Sequence, residues 1–421
     1  MDTETNEIDE GTGYIGYREA FALIVSNVRP VGTERLPLDL SVGRIASAEL
    51  VAKVSYPQTE VSLKDGFAVR SADVATASAR RPVRLKLAGC VYAGAEFSGE
   101  VPPGGAVRIC SGATIPRGAD AVVSGEFCEE ISAAGVSIRA DAGKGRNILP
   151  AGGEVTAGDI IVKKGGRLLP GYLGLAAAAG ISEAGVYRRP SVAVIGVGDE
   201  VVAPGERLRS GQLYASNIVT MEAWLASFGI DYTASVVKDS DRAIRQELQK
   251  RLPGVDAILT SGGAWGSERD LVIGSLDGLG WRELFHHVRM GPGKGIAFGL
   301  WEDKPVFCLP GGPASNEMAF LQLALPGLLR LAGDVRPPLQ TVLARLEEDL
   351  KSRHAAWTEF RDAVLTRQPD GSFTVGPYRS RSRLQAIASA NGLVCLPEGK
   401  GVLRAGEIVP VQSLVPRLDD L

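Results

Sequence analysis

The chain has 421 residues, 45% of them apolar and 23% charged, so it is a globular protein too long for one ordinary core. Its net charge of −3 excludes the bulk basic field that draws a protein onto nucleic acid. Its cysteines (Cys90, Cys110, Cys128, Cys308 and Cys395) form no CxxC pair and are accompanied by only three histidines, which argues against a Cys/His zinc site and for a reducing compartment.

The opening stretch "MDTETNEIDEGTG" is acidic and polar; it has neither the apolar run of a secretory signal nor the basic character of a transit peptide, and reads as a disordered tail. From Tyr17 to about Val28, residues Ala20, Phe21, Leu23, Ile24 and Val28 share a helical face, and a second short helix is expected around Ser41 to Leu50. Between Lys53 and about Asn147 come short β-rich runs broken by Gly and Pro, the texture of a small β domain. Segment 148–186 is mixed, with a strand-like "AGDIIVKKGGRL" and a short helix "LPGYLGLAAAAGI" that is too short to span a bilayer. Residues 14–52 and 148–186 flank the β-rich stretch and are expected to form one mixed α+β domain interrupted by the 53–147 insert. The expected setting is cytoplasmic, with no membrane and no nucleic-acid partner.

From Arg189 strands and helices alternate: "SVAVIG", "NIVTMEAWLASFG", "DYTASVV", "DRAIRQELQKRL", "DAILTSGG". Alternation of this kind predicts a doubly wound α/β domain over 187–334, with ligands bound beyond the carboxyl ends of its strands. A long apolar helix, "NEMAFLQLALPGLLRLAGD", leads to "RPP", and residues 335–421 read as a small C-terminal β domain.

Four stretches fall at strand ends or in turns where chemistry is performed. "GVGDEVV" places Gly198, Asp199 and Glu200 together, either to meet a ligand or to cap a following turn. "TSGGAWGSERD" offers Ser261, bare amides at Gly262 and Gly263, and the carboxylates Glu268 and Asp270; it fits a phosphate with magnesium and also fits an acidic first helical turn. "GPGKG" sets Lys294 among glycines, as a point charge for an oxyanion or as a solvated surface residue. "LPGGPAS" brings Pro310, Gly311, Gly312 and Ser315 to a helix start, where capping and anion binding are compatible. Asp65 in "KDGFAVR" is first of all a turn residue, and Asp239 in "VVKDSD" suits a helix N-cap or a site in equal measure. A GxSxG elbow, Walker A sequence and HExxH pair are all absent, as is a GxGxxG in βαβ context, which excludes the corresponding enzyme classes.

Taken in order, "KDGFAVR", "VGDE", "YASN", "VVKD", "TSGGAWGSERD", "GPGKGIAFG", "LPGGPASN" and "ASANGLVCLPEG" resemble the molybdopterin molybdenumtransferase family, which includes the gephyrin E domain. The likeness covers nearly the whole chain from about Tyr14. It implies an elongated homodimer of four-domain subunits: a molybdopterin-binding doubly wound α/β domain, a β-rich insert, a mixed α+β domain and a C-terminal small β-barrel. The implied reaction is magnesium-dependent cleavage of adenylylated molybdopterin with insertion of molybdate into its dithiolene, giving molybdenum cofactor and AMP.

Carried onto this sequence, the family implies substrate contacts at Gly198, Asn217, Ser261, Gly262, Gly263, Pro310, Gly311, Gly312 and Ser315. Magnesium ligands would come from Asp199, Glu200, Asp239 and Glu268, and catalytic roles would fall to Asp65 (from the partner subunit), Asp270 and Lys294. A molybdopterin adenylyltransferase and a client molybdoenzyme are the further partners implied. The family's TGDE here begins with Val197, its SGGVSxG carries Trp265, and its KPGKP retains one lysine, Lys294. Its PGNP loses the Asn, and its Arg-rich run before GED becomes Leu149-Pro150-Ala151-Gly152-Gly153-Glu154. Loss of cations weakens an oxyanion site by roughly 1.5–3 kcal/mol for each charge-assisted hydrogen bond; Arg117, Arg146, Arg269 and Arg289 are candidates to compensate. The second reading is a catalytically weak paralogue that binds and delivers molybdopterin or molybdenum cofactor to a client oxidoreductase.

Overall fold

The computed structural model describes residues 13–132, 135–263, 271–379 and 382–415. The acidic N-terminal stretch through Thr12 lies outside these residues, as do Trp265, Glu268, Arg269 and Asp270. Residues Glu34–Val186 form one compact unit, and the described residues before and after them form the other.

In the Glu34–Val186 unit a six-stranded sheet runs in the order Ala121–Ser124, Gly66–Val69, Gly105–Ile109, Val83–Val91, Gly135–Ile138, Cys128–Ser132. Alternate residues of these strands fill two small cores, Phe67 and Val69 on one face, Ala68 and Val107 on the other. The helix expected around Ser41 to Leu50 is replaced by a single 3-10 turn, Leu38–Leu40, and a short strand, Leu50–Val51. Gly43, at φ +76, bends the chain there, and Ile45 and Ala46 make isolated bridges to Arg167 and Val186. Tertiary pairing overrides the apolar spacing.

In the other unit, six strands form one sheet: β1 (Ser191–Val197), β2 (Asp231–Val237), β3 (Ala257–Ser261), β4 (Arg282–His286), β5 (Ala297–Trp301) and β6 (Lys304–Leu309). Their spatial order is β2-β1-β3-β6-β5-β4; the first four are parallel, and β5 and β4 are antiparallel additions. The apolar run of β1 is explained by burial on both faces. Val192 and Val194 enter a core with helix α1 (Ser216–Ser227), while Ala193, Ile195 and Val197 enter another with α2 (Asp241–Arg251) and α3 (Leu271–Asp277). Each such fully buried side chain contributes about 1.5–3 kcal/mol.

The last apolar helix is not uniform: α4 (Pro313–Ala319) passes through a π-helical stretch, Phe320–Ala324, into a further α-helix, Leu325–Leu331. The N-terminal helix Tyr17–Asn27 buries Ala20 and Ile24 in the same core as Val192 and Phe307.

The C-terminal strands Thr358–Arg367, Phe373–Pro377, Thr341–Leu346, Ile408–Ser413 and Gly392–Leu396 pair in a ring, the last returning to the first. Residues two apart point inward together, as Ala344/Leu346, Ala363/Leu365, Leu396/Val394 and Val409/Val411 do, so the ring is a filled barrel. A short strand, Val288–Gly291, continues that sheet: it pairs with Ile15–Gly16 on one side and with Thr358 and Glu359 on the other. This backbone seam fixes the barrel against the α/β domain, beside the loop that carries Lys294.

Candidate active site

Three loops leave the carboxyl ends of β1, β3 and β6 and meet through backbone contacts. Gly262 has φ +94, and a Cβ there would sit 2.6 Å from the Val197 carbonyl oxygen. Its N–H donates to the Leu309 carbonyl at 3.1 Å, and a Cβ on Gly311 would lie 3.6 Å from the Gly262 Cα. Glycine is therefore required at 262 by both conformation and space.

Two asparagines brace these loops from beneath. Asn217, near the start of α1, donates to the Gly311 carbonyl at 2.8 Å and to the Ser261 hydroxyl at 3.2 Å. Asn316, buried in the first turn of α4, donates to the Pro310 carbonyl at 2.9 Å and to Ser261 at 3.0 Å. The Ser261 oxygen thus accepts twice and its proton is left to donate, from a side chain that is buried beneath the loops and is not among the residues that line the cleft. Asn316 escaped the sequence reading, although "GGPASNE" places an amide within one helical turn of the glycines.

Above the strand ends lies a cleft of about 940 Å³. Gly198, Glu200, Asp239, Gly262, Gly263, Lys294, Pro310, Gly311, Gly312 and Ser315 line one wall, so the structure gathers these residues of the sequence-derived set. The opposite wall comes from the barrel and carries Arg353, His354, Trp357, Arg361, Asp362, Tyr378 and Arg383. The barrel wall was not read from the sequence; the cluster "RHAAWTEFR" was its one local signal.

Lys294 leaves a loop in which Gly293, at φ +113, packs against the start of α4: a Cβ there would meet the Ser315 carbonyl oxygen at 3.3 Å and the Ala319 amide nitrogen at 3.2 Å. Its ammonium is 5.7 Å from the centre of the Trp357 ring, and partial burial lowers its pKa from the usual lysine value. Lys294 is half-buried and lines the cleft. Arg361 is held by the buried Glu359 carboxylate, which also accepts from the His354 amide at 2.7 Å. Behind α4, burial pushes the Glu317 carboxyl up to about 7, against the hydrogen bond it accepts from the Trp224 indole at 3.0 Å and with help from Asp362.

Asp199 is exposed and lines a neighbouring groove of about 560 Å³ along β2 and α1, not the cleft. Asp239 does not cap α2; Ser240 does, accepting from the Ala243 amide at 3.3 Å. Asp65 belongs to the Glu34–Val186 unit, where its carboxylate accepts from the Ser111 amide at 2.7 Å and precedes a glycine whose Cβ would overlap the Val123 carbonyl. Of the candidate compensating cations, Arg289 is bound to Glu398 at 3.2 Å and to the Tyr14 carbonyl at 2.6 Å, while Arg117 and Arg146 belong to the other unit.

Among the described residues no cluster of three or more Asp, Glu, His or Cys side chains is assembled for a metal. Of the four carboxylates among the described residues that line the cleft, Glu359 and Asp362 come from the barrel, and Glu200 and Asp239 are the pair at the strand ends. That donor set is hard oxygen and incomplete by itself, which fits a magnesium ion that keeps waters and takes phosphate oxygens from its substrate. No helix among the described residues is long and apolar enough to cross a membrane.

Three family models match the chain: "MoeA N-terminal region (domain I and II)" over residues 15–180, "Probable molybdopterin binding domain" over 193–330, and "MoeA C-terminal region (domain IV)" over 344–414. Molybdopterin molybdenumtransferase 2 of Mycobacterium tuberculosis is 32% identical, the match covering 94% of this chain and 98% of that protein. Molybdopterin molybdenumtransferase of Synechococcus elongatus is 33% identical over 95% and 100%. The crystal structure of a molybdopterin biosynthesis MoeA protein from Pyrococcus horikoshii, 30% identical, superposes with a TM-score of 0.80 over 96% of this chain and 100% of that one.

Proposed function

Since this chain belongs to the molybdopterin molybdenumtransferase family, we propose that it inserts molybdate into adenylylated molybdopterin and releases AMP. The observation that carries this reading is the two-walled cleft: bare amides, Glu200, Asp239 and Lys294 on one side, Arg353, Arg361 and Arg383 on the other. Both substrates are anions, one a phosphoanhydride and one a dianionic oxyanion, and they repel each other in water. Cations and amide dipoles in a partly closed cleft offset that repulsion and stabilise charge that develops on the phosphorus oxygens.

In the proposed reaction an oxygen of water or molybdate attacks the AMP phosphorus, the phosphoanhydride bond breaks with the molybdopterin phosphate as leaving group, and AMP carries that oxygen away; the two dithiolene sulfurs replace oxygens on molybdenum, which leave as water with the dithiol protons. The amides of Gly263, Gly311 and Gly312 and the Ser261 proton hold phosphate and pterin oxygens, with Gly262, whose own N–H is taken by the Leu309 carbonyl, clearing the space beside them. Gly198, Asn217, Pro310 and Ser315 shape the same surface, Asn217 from below. Lys294 takes charge from the oxyanion. Glu200 and Asp239, with Glu268 and with Asp199 from the adjoining groove, would hold magnesium, which supplies charge neutralisation at the phosphate oxygens. Asp270 and Asp65 complete the catalytic set, Asp65 reaching in from the second subunit of a homodimer.

A cytoplasmic setting belongs to the proposal, because the five free cysteines and a dithiolene substrate both suit a reducing compartment. So do the four-domain division at 14–52 with 148–186, 53–147, 187–334 and 335–421, a supplying adenylyltransferase and a receiving molybdoenzyme. Arg353 and Arg383 supply cations from the barrel wall, Arg361 being paired with Glu359, and they support turnover over the delivery-only reading where the strand-end motifs carry fewer cations.

The test mixes purified protein with adenylylated molybdopterin, magnesium and molybdate and follows AMP. AMP release that requires molybdate and magnesium, and that is lost in Asp65→Ala and Asp270→Ala variants of normal thermal stability, supports the proposal. Tight binding of the nucleotide without AMP release overturns it in favour of delivery.

A further inference from the structure

Asp362 lies on the barrel strand Thr358–Arg367, in which Ala363 and Leu365 point into the barrel core. Alternation along the strand puts Asp362 on the opposite, outer face with Phe360. Phe360 packs there with Met318, Ala319 and Phe320, so this face meets α4 and the π-helical stretch after it. Asp362 is half-buried and lines the cleft, and the amide of Tyr378, a second lining residue, donates to its backbone carbonyl at 2.9 Å. Among the described residues no hydrogen bond or ion pair engages its side chain. Glu359, three residues before it, is the contrast: it accepts from the Ser352 hydroxyl at 2.8 Å and from the Arg353 and His354 amides at 2.7 Å, and it binds Arg361. Burial raises the Asp362 pKa from the usual carboxylate value, and Asp362 helps to raise that of Glu317 on α4. A half-buried carboxylate with no donor of its own is costly in the free protein and marks a ligand contact.

The chemistry of the group defines the ligand. A carboxylate repels phosphate and molybdate, so its partner is a hydrogen-bond donor. A divalent cation is poorly served, because Glu317 accepts from the Trp224 indole at 3.0 Å and titrates near 7, so the pair does not offer two charged ligands. A pterin supplies donors: its 2-amino group and N3–H lie side by side in one plane and match the two oxygens of a carboxylate. Its rings also suit the aromatic side chains Trp357 and Tyr378 in the same wall. We infer that Asp362 is the specificity-determining residue of a pterin subsite on the barrel wall, accepting from N3–H and the 2-amino group. The inference rests on the reading of the substrate as adenylylated molybdopterin.

The experiment titrates the full chain with pterin and with lumazine, which carries an oxygen in place of the 2-amino group, and follows ligand fluorescence. Wild type is expected to prefer pterin by about ten- to hundredfold, the range of a charge-assisted hydrogen bond. Asp362→Asn keeps the shape but offers one acceptor and one donor, which match N3–H and the 2-oxo group of lumazine. It is expected to bring the ratio to one or below with a gain in lumazine affinity, a gain that damage to the fold does not produce. Asp362→Ala is expected to lose the preference without that gain. In AMP release, Asp362→Asn is expected to raise the KM for adenylylated molybdopterin by about ten- to hundredfold while the requirement for magnesium stays as in wild type. A wild type that shows no preference for pterin, or binds neither compound, overturns the inference, as does a ratio unmoved in Asp362→Asn. A raised magnesium requirement with an unmoved ratio assigns Asp362 to the metal instead. The layers separate: a pterin preference set by Asp362 without AMP release breaks the functional reading alone, whereas AMP release with an unmoved ratio breaks only the role of Asp362.

Discussion

The two walls of the cleft are built on different principles. The strand-end wall presents backbone: its loops meet with glycine at the contact, and asparagine amides brace their carbonyls from below. The barrel wall presents side chains, with Arg353, Arg361 and Arg383 for charge and Trp357 for an aromatic face. The strand-end wall is least tolerant at Gly262, where an added Cβ would sit 2.6 Å from the Val197 carbonyl oxygen, whereas a Cβ on Gly311 would make ordinary contact and one on Gly312 would meet open space. A side-chain wall can exchange one cation for another from a neighbouring strand.

The largest expected effect comes from the cation on the strand-end side. Lys294→Ala should lower kcat/KM for AMP release by about two orders of magnitude, since a charged hydrogen bond to an anionic group contributes roughly 1.5–3 kcal/mol. An effect smaller than threefold would mean the barrel arginines carry the oxyanion alone. Next, Gly262→Ala should destabilise the α/β domain by about 2–3 kcal/mol, from a left-handed backbone and a carbonyl 2.6 Å away, and remove most activity. Urea unfolding monitored beside AMP release checks this, and full activity at wild-type stability would show that the loops are not in backbone contact.

The third effect lies behind the cleft and depends on pH. Glu317 titrates near 7 in the folded protein and near 4.5 unfolded, so the folded state binds its proton more tightly. Its contribution to stability is fully present below pH 4.5 and is lost as pH rises through about 7. Relative to wild type, Glu317→Gln should remove a fall of roughly 2–3 kcal/mol between pH 5 and 8; equal slopes in the two proteins would contradict the assignment. The smallest effect belongs to the exposed Arg383: Arg383→Gln should raise the molybdate KM severalfold at low salt and less at high salt, because solvent screens an exposed charge. A salt-independent change would mean the residue acts by contact instead of charge.

Legibility from sequence followed the same division. The α/β strands were readable because burial on both faces imposes continuous apolar runs such as "SVAVIG", and the glycine loops were readable because only glycine fits where main chains touch. The barrel wall was legible only in part, since Arg353 and Arg361 share the segment "RHAAWTEFR" whereas Arg383 lies far from it along the chain and no local spacing records that they line one cleft. Asp199 and Glu200 look equivalent in "VGDE", yet only the second lines the cleft, because consecutive residues leave a strand end in different directions. Arg289 was a plausible cation by position, but its two partners, Glu398 and the Tyr14 carbonyl, lie far along the chain in both directions. The helix expected near Ser41 gave way because its apolar residues serve strand bridges to distant segments.

The most direct test of a shared, two-walled cleft is anomalous diffraction from crystals of the full chain soaked with tungstate as a heavy analogue of molybdate. The expected result is one strong peak within hydrogen-bonding reach of Lys294, facing the barrel arginines, and its loss in Lys294→Ala. A tungstate site outside the cleft, with nothing bound between the two walls, would contradict the account.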